Sequence, residues 1–230
     1  MQHQWKTNAN HRKLFVSYSG GKDSTLALYH ALQAGEVLGL LVMLEEQGER
    51  SRSHAMSLEI IHAQANAIGL PILMAPSSWS NYETQFLDLL AQAKDQGAEV
   101  LVTGDLDIPE HGCWHDKVTT QAGLKLSMPL WQRPHRDVID EFVQLGFMTM
   151  IVTVNLNLGM KVEDLGKILT LEYIQELELR GIDPCGEGGE FHTTVINGPI
   201  FKAAIAVNKG DILYHENYAF LPLKLEKQSL

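Results

Sequence analysis

The 230 residues are enough for one large domain, or for a domain with a smaller companion, with a well-filled hydrophobic core. Hydrophobic residues make up 45% and charged residues 20%, which excludes a disordered, collagenous or coiled-coil chain. The formal net charge of -10 opposes general binding to nucleic acid or to anionic lipid.

The cysteines and the first residues indicate the compartment. Cys113 and Cys185 are the only cysteines, and they lack the grouping of a disulfide framework or a zinc site. The opening Met-Gln-His-Gln-Trp-Lys has no apolar core of the kind a signal peptide requires, and no later run reaches the length of a membrane span. We therefore expect a cytoplasmic protein without a membrane segment.

Apolar runs and helical periodicities alternate along the first half of the chain. They predict strands at 14–18, 37–44, 72–75 and 99–103, and helices at 25–32, 54–68, 82–96 and 114–122. Strands that alternate with helices predict an α/β fold with a doubly wound, mostly parallel sheet, whose ligands bind outside the carboxyl ends of the strands.

The pattern is less regular in the second half of the chain. It predicts helices at 137–146 and 171–179, a strand at 148–154, and strand-like segments at 194–196, 199–207 and 212–214. We expect a smaller C-terminal α+β domain and divide the chain into 1–128 and 129–230. Phe220 and Leu221 are candidates either for a homodimer interface or for the core.

Residues 19–24 read Ser-Gly-Gly-Lys-Asp-Ser between the first predicted strand and the first predicted helix. Paired glycines adopt backbone angles closed to other residues and let N–H groups approach an anion. The start of the helix adds the positive end of its dipole. A plain glycine turn would not require the strand, the flanking hydroxyls, the lysine and the helix together. The segment therefore predicts a pyrophosphate cradle, although its spacing is not that of a Walker A motif.

A second polar constellation is Cys-Gly-Glu-Gly-Gly-Glu-Phe-His-Thr at 185–193. Its glycine density favours a functional loop, and a glycine-rich hairpin with solvated glutamates is an equal alternative. Gly104-Asp105 follows a predicted strand, where the carboxylate would face a nucleotide or simply form a turn. His111, Cys113 and His115 are spaced by two, which does not place neighbours on one helix face and does not favour a metal site.

These segments carry a resemblance to a known family. The loop at 19–24 looks like the PP-loop of N-type ATP pyrophosphatases. With Gly104-Asp105, Pro129-Leu130-Trp131 followed by Arg133, Gly186-Glu187-Gly188-Gly189-Glu190 and Gly198-Pro199-Ile200-Phe201 in this order, the sequence resembles the diphthine-ammonia ligase family over nearly the whole chain. The resemblance implies a nucleotide-binding α/β domain followed by a smaller substrate-binding domain, with ATP and Mg2+ as cofactors.

The resemblance also implies roles for particular residues. The ATP-binding set would be Ser19, Gly20, Gly21, Lys22, Asp23, Ser24, Gly104 and Asp105. Lys22 would neutralise the leaving pyrophosphate, and Asp23 would hold Mg2+ or orient the loop. The catalytic candidates are Lys22, Asp23, Glu187, Glu190 and His192, of which the last three would bind ammonium or take its proton.

Other residues have ordinary alternatives. The resemblance places His54 near ATP, whereas a capping or solvated histidine is the default interpretation. Trp131 and Arg133 would shape the substrate pocket, and tryptophan is as often simple core. Cys185 is interpreted as a small packing residue.

The implied reaction adenylates a carboxylate and aminates it with ammonia, releasing AMP and pyrophosphate. The implied substrate is diphthine on elongation factor two. The eukaryotic and archaeal enzymes typically carry glutamate where this chain has His192, which resembles a bacterial branch acting on a cobalamin-related small molecule. A non-catalytic adenine-nucleotide-binding module is the alternative of another class. Sulfur insertion into tRNA is disfavoured by the acidic charge and the two cysteines.

Overall fold

The computed structural model describes residues 11–51 and 56–226. Their backbone forms two compact units. Unit 1 takes its described residues from Met1–Ser19, Asp23–Ser53 and Leu70–Arg133, and unit 2 takes its own from Gly20–Lys22, His54–Gly69 and Pro134–Leu230. Both units are thus discontinuous in sequence, and the division after residue 128 stays a prediction.

Unit 1 is built on a five-stranded sheet in which every strand pair is parallel. The strands are β1 (Lys13–Ser17), β2 (Glu36–Leu44), β3 (Ile72–Pro76), β4 (Val100–Val102) and β5 (Lys125–Ser127). Their order is β3-β2-β1-β4-β5, so the order reverses between β1 and β4. Ligands of doubly wound sheets bind beside the carboxyl ends of the strands at such a reversal. The residues that follow β1 and β4 are therefore the ones this fold offers for a site.

Four helices occupy the connections of this sheet: α1 (Lys22–Ala34), α2 (Leu58–Ile68), α3 (Tyr82–Asp95) and α4 (Pro109–Ala122). Helix α2 belongs to unit 2. Helix α3 buries Phe86, Leu89, Leu90 and Ala93, the spacing of one helical face. That face packs on Phe15, Leu41 and Leu101 from three strands. The parallel sheet thus packs a hydrophobic core against α3 on at least this side. This packing holds the strands, and therefore their ends, in place.

Unit 2 contains an antiparallel sheet with the strand order β7-β6-β10-β9. Its strands are β6 (Met148–Asn155), β7 (Phe191–Asn197), β9 (Leu213–His215) and β10 (Tyr218–Phe220), while β8 (Val207–Lys209) pairs with β11 (Leu223–Leu225). The other elements of this part of the chain are α5 (His135–Gln144), α6 (Leu171–Leu179) and two 3-10 helices at Leu156–Leu158 and Val162–Asp164. Strand β7 carries the Phe-His-Thr end of the second constellation.

The predicted fold class is confirmed: a parallel five-stranded sheet with helices, and a smaller antiparallel sheet toward the C-terminus. The predicted strand over 199–207 is wrong, because pairing begins only at Val207. The chain instead turns after Gly198, and its apolar residues Phe201 and Ile205 are buried from irregular backbone. Strands β5, β10 and β11 were not predicted. His54 lies outside the described residues.

Two further predictions concern surfaces. Among the helices that the structure describes, none is both long and apolar enough to cross a membrane. Leu221 is buried in unit 2 and Phe220 is partly buried, which assigns Leu221 to the core. The homodimer stays a prediction.

Candidate active site

The Ser19–Ser24 loop joins β1 to α1. Within unit 1, the Ser19 N–H donates to Ser24 Oγ at 3.2 Å, and the two hydroxyl oxygens lie 3.1 Å apart. These contacts close the loop at its two ends and draw the start of α1 toward the end of β1. The two serines thus have a local role whatever the loop binds.

Gly20 has a left-handed backbone with φ of 80°, a region that favours glycine. A side chain there would also overlap Gln64 Oε1 and lie 2.7 Å from Met56 Cε. The Gly20 carbonyl accepts two hydrogen bonds, from the Val195 N–H at 3.0 Å and from Gln64 Nε2 at 2.9 Å. All of these contacts lie within unit 2, and they fix the direction of the peptide between the two glycines.

Lys22 is only 5% exposed. Its main-chain N–H donates to Thr193 Oγ1 at 3.2 Å, and its Nζ lies 5.5 Å from the centre of the Phe191 ring. An ammonium over an aromatic face is attracted by the ring quadrupole, and a buried charge is costly without such compensation. Lys22 therefore places a desolvated positive charge beside the first residues of β7.

His192 lies next to this charge. Burial, and then the charge of Lys22, lowers the pKa of His192 from 6.5 to about 4. The imidazole is therefore neutral at neutral pH. A base with so low a pKa is a poor proton acceptor, so the site favours a hydrogen-bonding role for His192 over removal of a proton from ammonium.

The glycine-glutamate loop precedes β7. Gly186 and Gly189 both have left-handed backbones, with φ of 71° and 84°. The Gly189 N–H donates to the Gly186 carbonyl, which closes a tight turn that presents Glu187. A side chain at Gly188 would lie 2.8 Å from Glu190 Oε1. Gly188 thus lets the backbone pass close to the Glu190 carboxylate, which favours the functional loop over a solvated hairpin.

Glu190 is half-buried, and its Oε2 has no hydrogen-bond partner within the part of the chain that the structure describes. Its main-chain carbonyl accepts the Asn155 N–H at 2.8 Å, which ties the loop to the end of β6. An unpartnered buried carboxylate oxygen is unfavourable unless a cation or a donor arrives. The role of Glu190 at an ammonium group stays a prediction.

Gly104 and Asp105 follow β4. A side chain at Gly104 would lie 2.7 Å from the carbonyl carbon of Asp23 and 2.8 Å from the Ser24 nitrogen, so glycine is needed where β4 meets the first turn of α1. Asp105 Oδ1 lies 3.1 Å from His111 Nδ1, and Oδ2 lies 3.1 Å from His115 Nε2. Burial would raise the pKa of Asp105, but the hydrogen bonds of the two histidines outweigh it and hold that pKa well below its usual range.

The two histidines were not predicted to hold Asp105. His111 and His115 lie four residues apart and therefore on one face of α4. The spacing of two to Cys113, on which the sequence-based prediction depended, does not reveal this pair of histidines. Cys113 between them is exposed. Across residues 11–51 and 56–226, no three His, Cys, Asp or Glu side chains are grouped to hold a metal. Mg2+ is usually held by one or two carboxylates plus phosphate oxygens, and the role of Asp23 as one of its ligands stays a prediction.

Three other residues are placed by unit-internal contacts. Trp131 is 9% exposed and packs with Leu126 and Met128, and a side chain at Gly112 would lie 3.0 Å from its ring, which favours the core interpretation. Arg133 is half-buried at the end of unit 1. Cys185 is buried, and its thiol lies 3.2 Å from the His135 carbonyl oxygen. Its packing role agrees with these contacts.

Sequence reasoning missed Gln64, Thr193 and the pair His135–Asp183. Asp183 Oδ1 accepts the Cys185 N–H at 2.8 Å, and its Oδ2 lies 2.7 Å from His135 Nδ1. This anchors the start of the glycine-glutamate loop to the first residue of α5. Only the spacing from Asp183 to Cys185, typical of a side chain that caps its own turn, could have signalled the anchor.

Two protein-family models match this chain. A model of the diphthamide synthase N-terminal domain matches residues 12–126, and a model of the diphthamide synthase C-terminal domain matches residues 134–229. The chain is 26% identical over 238 residues to a diphthine–ammonia ligase of Schizosaccharomyces pombe, covering 93% of this chain but 39% of that protein. It is 26% identical over 231 residues to the diphthine–ammonia ligase of Homo sapiens, covering 89% of this chain and 86% of that protein.

A solved structure is also similar to this chain. It is described as a predicted subunit of a tRNA methyltransferase from Methanocaldococcus jannaschii, at 13% identity and a TM-score of 0.44, over 81% of this chain and 98% of that chain. Assignment to a family depends instead on the sequence matches, which together extend over both halves of the chain. The chain belongs to the diphthamide synthase family.

Proposed function

We propose that this protein is an ATP-dependent ligase that adenylates a carboxylate and converts it to an amide with ammonia, releasing AMP and pyrophosphate. The relatives that it resembles are named diphthine–ammonia ligases. Because the chain spans 39% of the fission yeast protein and 86% of the human one, the activity and its substrate are proposals for this chain.

The observation that carries the proposal is the geometry of the Ser19–Ser24 loop. Gly20 is left-handed, its carbonyl is held by two donors, and α1 begins at Lys22. The loop follows β1 at the reversal of strand order, where doubly wound sheets bind nucleotides. N–H groups at a helix start, with a buried lysine beside them, suit the β and γ phosphates of ATP.

In the first step, an oxygen of the substrate carboxylate attacks the α-phosphorus of ATP. The bond from that phosphorus to the bridging oxygen of the β-phosphate breaks, and pyrophosphate leaves with the electron pair. Lys22 stabilises the charge that develops on this leaving group, since its ammonium is already desolvated. Asp23 would hold Mg2+, which when bound neutralises phosphate charge.

In the second step, the nitrogen of ammonia attacks the acyl carbon of the adenylate. The bond from that carbon to the phosphate oxygen breaks, AMP leaves, and the nitrogen loses a proton. Glu190, with its unpartnered Oε2, would bind the incoming ammonium and accept a proton from it. Glu187 lies in the same turn, and the neutral His192 would orient the nitrogen by a hydrogen bond.

Two carboxylates are the candidate substrates. One is diphthine, as the names of the relatives indicate, and the family resemblance places it on elongation factor two. The other is a cobalamin-related small molecule. His192 favours this second substrate, because the diphthamide enzymes typically carry glutamate at that position. We place the reaction in the cytoplasm, a compartment that suits two cysteines, Cys113 and Cys185, that form no disulfide.

The test is pyrophosphate release by the purified protein with ATP, Mg2+ and ammonium chloride. One arm adds elongation factor two that carries diphthine, a second adds corrin side-chain carboxylates, and a third adds no carboxylate. Release that requires one carboxylate, with AMP formed in equal amount and the amide detected by mass spectrometry, is the expected result. Tight ATP binding without release in any arm would support a non-catalytic nucleotide-binding module instead.

A further inference from the structure

Gln64 of α2 is a buried amide that contacts the Ser19–Ser24 loop. The residue is 0% exposed. Its Nε2 donates one hydrogen bond to the Gly20 carbonyl at 2.9 Å and a second to the Val195 carbonyl at 2.8 Å. The Val195 N–H donates to the same Gly20 oxygen at 3.0 Å. One side chain therefore joins three parts of unit 2, namely Gly20 of the loop, α2 and β7.

The geometry matters because a carbonyl oxygen repels phosphate. In a trans peptide, the carbonyl of one residue and the N–H of the next point in opposite directions, and the described chain contains no cis peptide. Holding the Gly20 carbonyl toward Gln64 and Val195 therefore directs the Gly21 N–H the other way. The next N–H, of Lys22, is fixed by Thr193 Oγ1 at 3.2 Å.

We infer that Gln64 is a positioning residue of the phosphate loop, in which it holds the Gly20 carbonyl oxygen away from the phosphates of ATP. The inference rests on the proposed function, since it assigns a role to a residue that supports the same loop. Gln64 is not a catalytic residue, because it acts on the nucleotide only through the Gly20–Gly21 peptide.

The chemistry of the side chain supports this role. An amide nitrogen offers two hydrogens, and both are used on main-chain oxygens of the loop and of β7. Its Oε1 has no hydrogen-bond partner among the described residues. A buried acceptor without a partner is unfavourable, so a residue selected for packing alone would not need this amide.

Two variants separate donation from packing. Gln64→Glu keeps the shape but turns a carboxylate toward two carbonyl oxygens, and Gln64→Met fills similar space with no donor. The matched control is Asn66→Asp, which makes the same amide-to-carboxylate change two residues along α2 at an exposed position. Each protein is tested for ATP affinity by calorimetry with Mg2+, for thermal unfolding, and for amide hydrogen exchange of the loop without nucleotide.

We expect ATP affinity to fall about tenfold or more in Gln64→Met and further in Gln64→Glu, while Asn66→Asp stays within about twofold of the original protein. Loop amides should exchange faster in Gln64→Met without nucleotide, with unchanged exchange in the core of unit 1. Unchanged ATP affinity and loop exchange in Gln64→Met would overturn the inference. Failure of the original protein to bind ATP would instead overturn the proposed function, while the exchange result would still decide whether Gln64 holds the loop.

Discussion

At the scale of single residues, the site depends on a charge that is already out of water. Lys22 is 5% exposed and lies beside the Phe191 ring. The ring face attracts the ammonium through its quadrupole. In the proposed reaction, pyrophosphate would meet an ammonium that is already desolvated, so little water has to leave Lys22 when an anion binds.

The pKa of His192 predicts how stability depends on pH. Because burial and Lys22 lower this pKa from 6.5 to about 4 in the folded protein, the unfolded chain binds more protons between these values. The contribution of His192 to the free energy of unfolding is therefore fully present above about pH 6.5. It is lost as the pH falls toward about 4, and the loss amounts to up to about 3 kcal/mol. Urea unfolding of the original protein and of His192→Gln at pH 7 and 4.5 checks this.

The variant should lose less stability on acidification than the original protein. Other groups titrate in the same range in both proteins, so the difference between the two isolates His192. An identical loss in both proteins would mean that the imidazole is not held neutral by the fold.

The two histidines on Asp105 predict unequal costs of replacement. The side chain of His115 is 11% exposed and that of His111 is 55% exposed, at the same distance from the carboxylate. His115→Leu should cost about 1–3 kcal/mol because it leaves a buried carboxylate oxygen without its donor. His111→Leu should cost about 1 kcal/mol or less, since water can replace an exposed donor. Urea unfolding at pH 7 measures both, and equal costs would contradict the burial argument.

At the scale of elements, sequence periodicity predicted the helices and strands that are long enough to show a repeating apolar pattern, and it failed for shorter ones. The sheet of unit 1 was predicted except for β5, whose three residues are too short to show a pattern. Helix α4 begins at Pro109, earlier than predicted, because proline suits the first turn of a helix. The phosphate loop was predicted from glycines and lysine that must be adjacent in sequence. Gln64 and Thr193 were not, because they reach the loop across 44 and 171 positions.

The junction of β4 with α1 carries a prediction about Gly104. A methyl group there would lie 2.7 Å from the main chain of Asp23, so Gly104→Ala must displace the first turn of α1. We expect a clear loss of ATP affinity, measured by calorimetry, together with a loss of stability of about 1–3 kcal/mol.

Gly146→Ala is the matched control for that change. Its φ is 85°, and an added Cβ would have nothing within 4 Å, so it strains the backbone without a collision. It should lower stability by about 1 kcal/mol and leave ATP affinity unchanged. If Gly104→Ala behaves in the same way as the control, the junction does not set the geometry of the loop.

At the scale of the whole molecule, the net charge acts on anions at long range, whereas the positive groups of the loop act only on contact. The net charge of -10 acts at long range against polyanions such as tRNA. Lys22, the N–H groups of the loop and the start of α1 act only in contact with a phosphate. This combination suits a small nucleotide, so the negative net charge is compatible with the proposed ATP site.

The discontinuity of unit 2 gives a prediction about fragments. Residues 129–230 alone would lack Gln64 on the Val195 carbonyl and the Ala67 carbonyl that accepts the Lys202 N–H at 2.7 Å. They would also lack the packing of α2 on β11. Because Val195 is buried and a buried backbone group that loses its partner costs free energy, we expect fragment 129–230 to show no cooperative thermal unfolding by itself. Co-expression with fragment 1–128 should restore a cooperative transition, whereas a sharp transition in the isolated fragment would show that α2 and the loop are dispensable for unit 2.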